Sequence, residues 1–127
     1  IISNPPFYEN DLKGDKENRN MAMHDSGLKL DELLEIVQKN LNHKGKFAVL
    51  LPYFRADGFV AKAKEHKLYL LKRMNVKQTD AHSFFRSMLL FQTQNAVEEI
   101  QSLAIKNGSN EYTDDFIQLL KDYYLYL

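Results

Sequence analysis

The sequence contains no cysteine. That excludes a disulfide framework and thiol catalysis, and it fits a reducing compartment, so a cytoplasmic location is expected. No apolar run approaches the roughly 18–20 residues of a membrane-spanning helix, so no membrane partner is expected. Charge of neither sign predominates: Lys+Arg and Asp+Glu are both 17, a formal net charge of zero. Bulk electrostatics therefore do not draw the chain to a polyanion, and nucleic-acid contact needs a local patch. Glycine is scarce, and Gly14, Gly27, Gly45, Gly58 and Gly108 are scattered. They build no glycine-rich turn after a strand, and no acid follows at the spacing that holds a ribose. His24, His43, His66 and His82 show no i, i+4 pairing, so no metal is expected.

What is present suits one small domain. The chain has 127 residues, of which 44% are hydrophobic and 27% charged. This is ordinary globular composition, with enough apolar content for a modest core.

The order of elements is legible from periodicity. Ile1-Ile2-Ser3 reads as the end of a buried strand. A strand starting at residue 1 is expected to have lost its beginning. Asn4-Pro5-Pro6-Phe7-Tyr8 breaks it, because proline lacks the ladder donor. Residues 9–27 are polar and unpatterned, which predicts a long loop. Apolar residues at 28, 30, 33, 34, 37 and 41 predict a helix, stopped by a left-handed turn at Gly45. Phe47-Ala48-Val49-Leu50-Leu51 predicts a strand buried on both faces, ended by Pro52. A second helix is expected over 56–67, with Phe59, Val60 and Ala63 inward. Strands are expected over 68–76, 85–93 and, from an ambiguous pattern, 97–105. Asn107-Gly108-Ser109-Asn110 is a turn, and Thr113 caps a last helix from Asp114 to about Tyr124. Early alternation of strand and helix predicts a parallel α/β sheet of three or four strands, and the adjacent later strands an antiparallel edge hairpin.

Asn4-Pro5-Pro6-Phe7 carries chemistry. From average usage such a string arises by chance in roughly one chain in a thousand of this size. Sites in α/β sheets lie outside the carboxyl ends of strands, where this string falls. The exocyclic amino group of a base or an amide is a poor nucleophile, because its lone pair is delocalised. Two acceptors placed on its two N–H groups localise that lone pair. Asn4 offers its side-chain oxygen and Pro5 its backbone carbonyl. Paired prolines aim both at one spot, and Phe7 can stack on a planar substrate.

Asn4 to Phe7 resembles motif IV of the class I methyltransferases that act on amino nitrogens. The stretches Phe47-Ala48-Val49-Leu50-Leu51-Pro52, Phe85-Arg86-Ser87-Met88-Leu89-Leu90-Phe91, Tyr112-Thr113-Asp114-Asp115-Phe116 and Tyr123-Tyr124-Leu125 are similar to the bacterial valine-tRNA adenine-N6-methyltransferase family. The resemblance implies the carboxyl-terminal half of a Rossmann-like class I methyltransferase sheet, mostly parallel with an antiparallel edge. It implies residues 1–127 as the carboxyl-terminal part of one domain, without its amino-terminal cofactor-binding half. It implies S-adenosyl-L-methionine as cofactor and a valine-accepting tRNA as partner. By position, Asn4 and Pro5 are catalytic, Pro6, Phe7, Tyr8 and Arg86 bind substrate, and Asn4 touches the edge of the cofactor. Arg86 matches a basic residue in the family's last core strand. Met23 stands where the family tends to carry an arginine. The other substrate classes of this chemistry are protein glutamine, DNA and ribosomal RNA. The contrasting reading is a non-catalytic binding domain with a degenerate motif.

Other features have plainer expectations. Lys72, Arg73 and Lys77 beside Arg86 are either a basic strip for phosphates or solvated edge residues. Lys13, Lys16 and Arg19 alternate with Asp11, Asp15 and Glu17, which suits solvation as well as substrate contact. Tyr123, Tyr124, Tyr126 and Leu127 are expected to dock into the core from the terminal helix. The strand edge at Ile1-Ile2 leads to an expectation of self-association.

Overall fold

The computed structural model describes residues 1–5 and 30–127. The predicted loop over 9–27, Pro6, Phe7, Tyr8, Met23, His24 and the start of the first helix lie outside the described residues.

Five strands form one sheet. They are β1 (Ile2–Ser3), β2 (Phe47–Pro52), β3 (Tyr69–Lys77), β4 (Phe84–Gln92) and β5 (Glu99–Ala104). Their spatial order is β1-β2-β4-β3-β5. β1 is parallel to β2, and β5 is parallel to β3. β4 is antiparallel to both of its neighbours, β2 and β3. Four strands therefore share one direction and β4 alone opposes them. The β3–β4 hairpin is antiparallel as expected, but it lies inside the sheet and not at its edge, because β5 pairs outside β3 and makes a fifth strand where three or four were expected.

The core lies on one face of this sheet. Phe47, Val49 and Leu51 of β2 alternate inward and are nearly fully buried, as a period of two requires. Leu89 and Phe91 of β4 share that face through the register pairs Val49↔Leu89 and Phe47↔Phe91. Helix α1 (30–40) covers it with Leu34 and Val37. Helix α2 (Ala56–Glu65) covers it with Ala56, Phe59 and Ala63, spaced three and four apart so that they share one stripe. Rings of Phe47, Phe59 and Phe91 meet at centroid distances of 5.7–6.4 Å. Lys62 Nζ donates to Asp31 Oδ2 at 2.6 Å and ties the two helices. The Lys62 hydrogen bond first, with the Lys62 charge and His66 beside it, holds the Asp31 carboxyl below its ordinary range against the opposing effect of desolvation.

The helix ends are made differently from expectation. Gly45 follows α1, but no described glycine has a positive φ. It is needed for close approach: a Cβ there would lie 2.9 Å from the Asn42 carbonyl oxygen and from Leu41 Cδ1. A left-handed residue closes α2 instead. Lys67 has φ 58, and Leu68 N–H reaches back to the Ala63 carbonyl at 2.9 Å, a Schellman closure that buries Leu68.

Thr113 caps α3 (Asp114–Leu120), accepting from Phe116 N–H at 3.2 Å and donating to the Ala104 carbonyl at 2.6 Å. The expected docking of the terminal aromatics is overturned. Tyr123 is 83% exposed, Tyr126 92% and Leu125 94%, and Tyr124 and Leu127 are exposed as well. The reason is length: α3 ends at Leu120, so the tyrosines leave the helix before they can turn back onto the sheet.

Candidate active site

A shared strand direction gathers the carboxyl ends of β1, β2 and β3 on one edge of the sheet, where β4 begins. β1 is placed there by two pairings with β2, Ile2↔Ala48 and Ser3↔Val49. Ala48 N–H donates to the Ile1 carbonyl at 2.9 Å, and the Ile1 nitrogen donates to the Lys46 carbonyl at 2.9 Å. Asn4 leaves the strand exposed, and Pro5, which has no N–H to continue the ladder, is half-buried. β1 is a rim strand in this sheet, with Ile2 87% exposed. The self-association expected from that rim has no support from the comparisons.

Arg86 comes to the same edge. Its register partner is Pro52, at the end of β2, two strands across from β1. With strands about 4.8 Å apart, that is about 10 Å across the sheet. The guanidinium lies 5.7 Å from the Phe85 ring centroid. The sheet thus brings Asn4, Pro5 and Arg86 to one edge.

The basic strip does not assemble with Arg86. Lys72 pairs with Glu99 at 3.2 Å. Arg73 bonds Asp57 at 2.5 Å and Asn75 at 2.8 Å, and its side chain is only 12% exposed. Lys77 pairs with Asp80 at 2.8 Å. These cations are structural partners of local acids more than a phosphate track. Among the described residues no group of three His, Asp or Glu could hold a metal ion. Likewise, among the described residues no helix is long and apolar enough to cross a membrane. An open groove between β3, β5 and α3, lined by Met74, Leu103, Gln118 and Leu119 among others, lies apart from Asn4.

Absent from the sequence expectations are Tyr53, Phe54 and Phe84, which stand at the same edge as Asn4. The signal was available: Tyr53-Phe54-Arg55 and Phe84-Phe85-Arg86 are near-copies of one tripeptide.

The sheet and its helices share their fold with a solved structure of the methyltransferase class. Over 95% of its length the chain matches the crystal structure of a predicted O-methyltransferase from Agrobacterium tumefaciens, with a TM-score of 0.65 and 12% identity, covering 49% of that chain. The likeness concerns the fold. Sequence relatives are more particular. Over 126 residues, 98% of its length, the chain is 36% identical to a protein of Flavobacterium johnsoniae named tRNA1(Val) (adenine(37)-N6)-methyltransferase. It is 35% identical over 126 residues to the protein of that name in Pseudoalteromonas translucida. It covers 54% of each, so it spans about half the length of the curated relatives it matches. No family model matches the chain. The resemblance carried by Asn4-Pro5-Pro6-Phe7 and the carboxyl-terminal motifs holds along the chain.

Proposed function

We propose that the protein containing this chain transfers a methyl group from S-adenosylmethionine to the N6 amino group of an adenine in tRNA, in the cytoplasm. On this reading residues 1–127 are the carboxyl-terminal part of one methyltransferase domain. The observation that carries the reading is the position of Asn4-Pro5 at the carboxyl end of β1, in a sheet whose relatives bear the tRNA methyltransferase name.

Among the described residues the cofactor would find one wall, at Asn4. Gly45 follows a helix, Gly58 lies inside α2, and Gly108 sits in a turn before α3, so none of these three opens a strand-to-helix cradle. Asn4 fits the methyl-facing edge alone. The chemistry supplied by S-adenosylmethionine, when bound, is an electrophilic methyl on a sulfonium.

The chain's own residues prepare the nucleophile. The target adenine leaves its stack to reach the sheet edge. The Asn4 side-chain oxygen accepts from one N6–H, and the Pro5 carbonyl accepts from the other. Both acceptors favour a tetrahedral amine with a localised lone pair, ready for the methyl that a bound sulfonium would supply as it becomes a neutral thioether, and the surplus N6 proton would pass to water. Pro6, Phe7 and Tyr8 line the pocket and hold the base flat, and Arg86 takes a phosphate. The valine-accepting species is the tRNA of choice, following the relatives' name.

The test uses the intact gene product with labelled S-adenosylmethionine and unmodified tRNA, followed by digestion to nucleosides. The expected result is label in N6-methyladenosine. Label in protein or DNA instead would keep the amino-methylation chemistry and overturn the substrate. Label nowhere would overturn the reading.

A further inference from the structure

The edge that holds Asn4 also holds two matched tripeptides. Tyr53-Phe54-Arg55 directly follows β2, and Phe84-Phe85-Arg86 opens β4. The pairing of Pro52 with Arg86 sets them side by side. The rings of Tyr53 and Phe84 meet at 5.3 Å, tilted by 39°. In each tripeptide the arginine lies over the ring before it: Arg55 at 5.5 Å from Phe54, and Arg86 at 5.7 Å from Phe85. Arg73 and Lys77 stand against Tyr53 and Phe84 at 5.5 and 5.6 Å.

Apart from Phe84, which is half-buried against Tyr53, these rings are not core. Phe54 is 71% exposed, and Tyr53 and Phe85 are both more than one-third exposed. Open aromatic faces alternating with guanidinium groups match one chemistry well. A nucleobase stacks on a ring of any kind, and the cation beside it meets the phosphate. Arg73 and Lys77 are held by Asp57 and Asp80, so the cation offered to a phosphate is Arg86, which lies over the exposed Phe85 ring.

Position strengthens the match. β1 and β2 are neighbours, and Tyr53 lies three residues beyond the register position of Asn4, about 10 Å along the strand. That is the reach of a nucleotide next to the one being modified. Enzymes that extrude a base also contact the nucleotides flanking it.

We propose that this paired aromatic–arginine cluster is the platform on which substrate RNA stacks the unpaired nucleotides beside the target adenine. The proposal rests on the tRNA reading above and assigns Tyr53, Phe54, Phe84 and Phe85 a role in holding the substrate. Arg86 belongs to the same platform through its contact with Phe85.

The experiment uses the intact protein and an unmodified valine-tRNA transcript, with binding followed by fluorescence anisotropy across a salt series. Phe54→Ala and Phe85→Ala each raise the dissociation constant at least about 5-fold, the low end of one lost base–ring stack. Arg86→Gln lowers the slope of log K against log salt by about one. In turnover assays Phe54→Ala raises KM and leaves kcat nearly unchanged, the mark of uniform binding. Should Phe85→Ala lose its fold, Phe54→Ala decides, since that ring is mostly in solvent. If Phe54→Ala binds and turns over tRNA like the parent, the platform is wrong and the tRNA reading survives. If the parent methylates no RNA, the tRNA reading fails and the platform falls with it.

Discussion

Asn4→Ala in the intact protein probes the proposed chemistry most directly. The side chain is exposed beyond the last paired residue of β1, so its removal takes nothing from the core. The thermal midpoint should therefore stay within about 1 °C of the parent, as for a surface change of a few tenths of a kcal/mol or less. Turnover should behave otherwise. Losing one hydrogen bond that strengthens as charge develops costs about 2.7–4 kcal/mol, or roughly 10²–10³-fold in kcat. Because the bond matters most in the transition state, kcat and kcat/KM should fall together. Asn4→Asp keeps an acceptor oxygen at the same reach and should retain more activity than Asn4→Ala. The assay is single-turnover transfer of labelled methyl to unmodified tRNA, beside a melting curve. If Asn4→Ala keeps more than about a tenth of the parent's kcat, Asn4 does not hold the amine and the mechanism is refuted. If its midpoint drops by several degrees, the residue is structural and the assigned role fails for a different reason.

Other outcomes follow from packing and charge. Phe91→Ala removes a fully buried ring that contacts Phe47 and Phe59, and should cost about 3–5 kcal/mol in urea unfolding. Lys67→Gly relieves a side chain held at φ 58 and should stabilise by about 0.5–1 kcal/mol in the same measurement. Asp31 has a folded pKa below its unfolded value, so its ion pair with Lys62 contributes stability above the unfolded pKa, and that contribution is lost as pH falls through the folded pKa. Both side chains are about 40% exposed, so the effect is a few tenths of a kcal/mol. Asp31→Asn should accordingly lower the neutral plateau of a stability–pH profile by those few tenths and flatten its acid limb below about pH 4, the two profiles meeting at low pH.

Much of the fold was legible along the chain. Phe47-Ala48-Val49-Leu50-Leu51 reads as a buried strand because it is apolar on both faces, and it lies inside the sheet between β1 and β4, with Ala48 and Leu50 on its second face half-buried. Thr113 reads as a cap because its hydroxyl suits an unpaired N–H, and it accepts one from Phe116. Residues 97–105 were ambiguous because short apolar patterns fit either period. Pairing with β3 resolves them as β5, which starts at Glu99 and leaves Val97 outside and exposed. The tyrosine tail was misread because aromatic content says nothing about where a helix stops. Lys72, Arg73 and Lys77 suggested a strip because their acid partners, Glu99, Asp57 and Asp80, are set by folding. Of the site, the place of Asn4 and Pro5 at the end of β1 was legible, since prolines stop the ladder after an apolar run, and the chemistry proposed for them rests on the rarity of the string.

By itself, the sequence determined most of the strands and helices, β5 excepted, and where the Asn4-Pro5 break falls, because hydrophobic period and proline geometry act over a few residues. Only the tertiary structure decided that β4 slots antiparallel between β2 and β3. That insertion brings Arg86 to Pro52 and sets Phe84-Phe85-Arg86 against Tyr53-Phe54-Arg55, thirty-one positions apart in the chain. Strand order depends on long-range pairing that buries Leu89 and Phe91 against β2 and two helices at once. No local pattern encodes that choice.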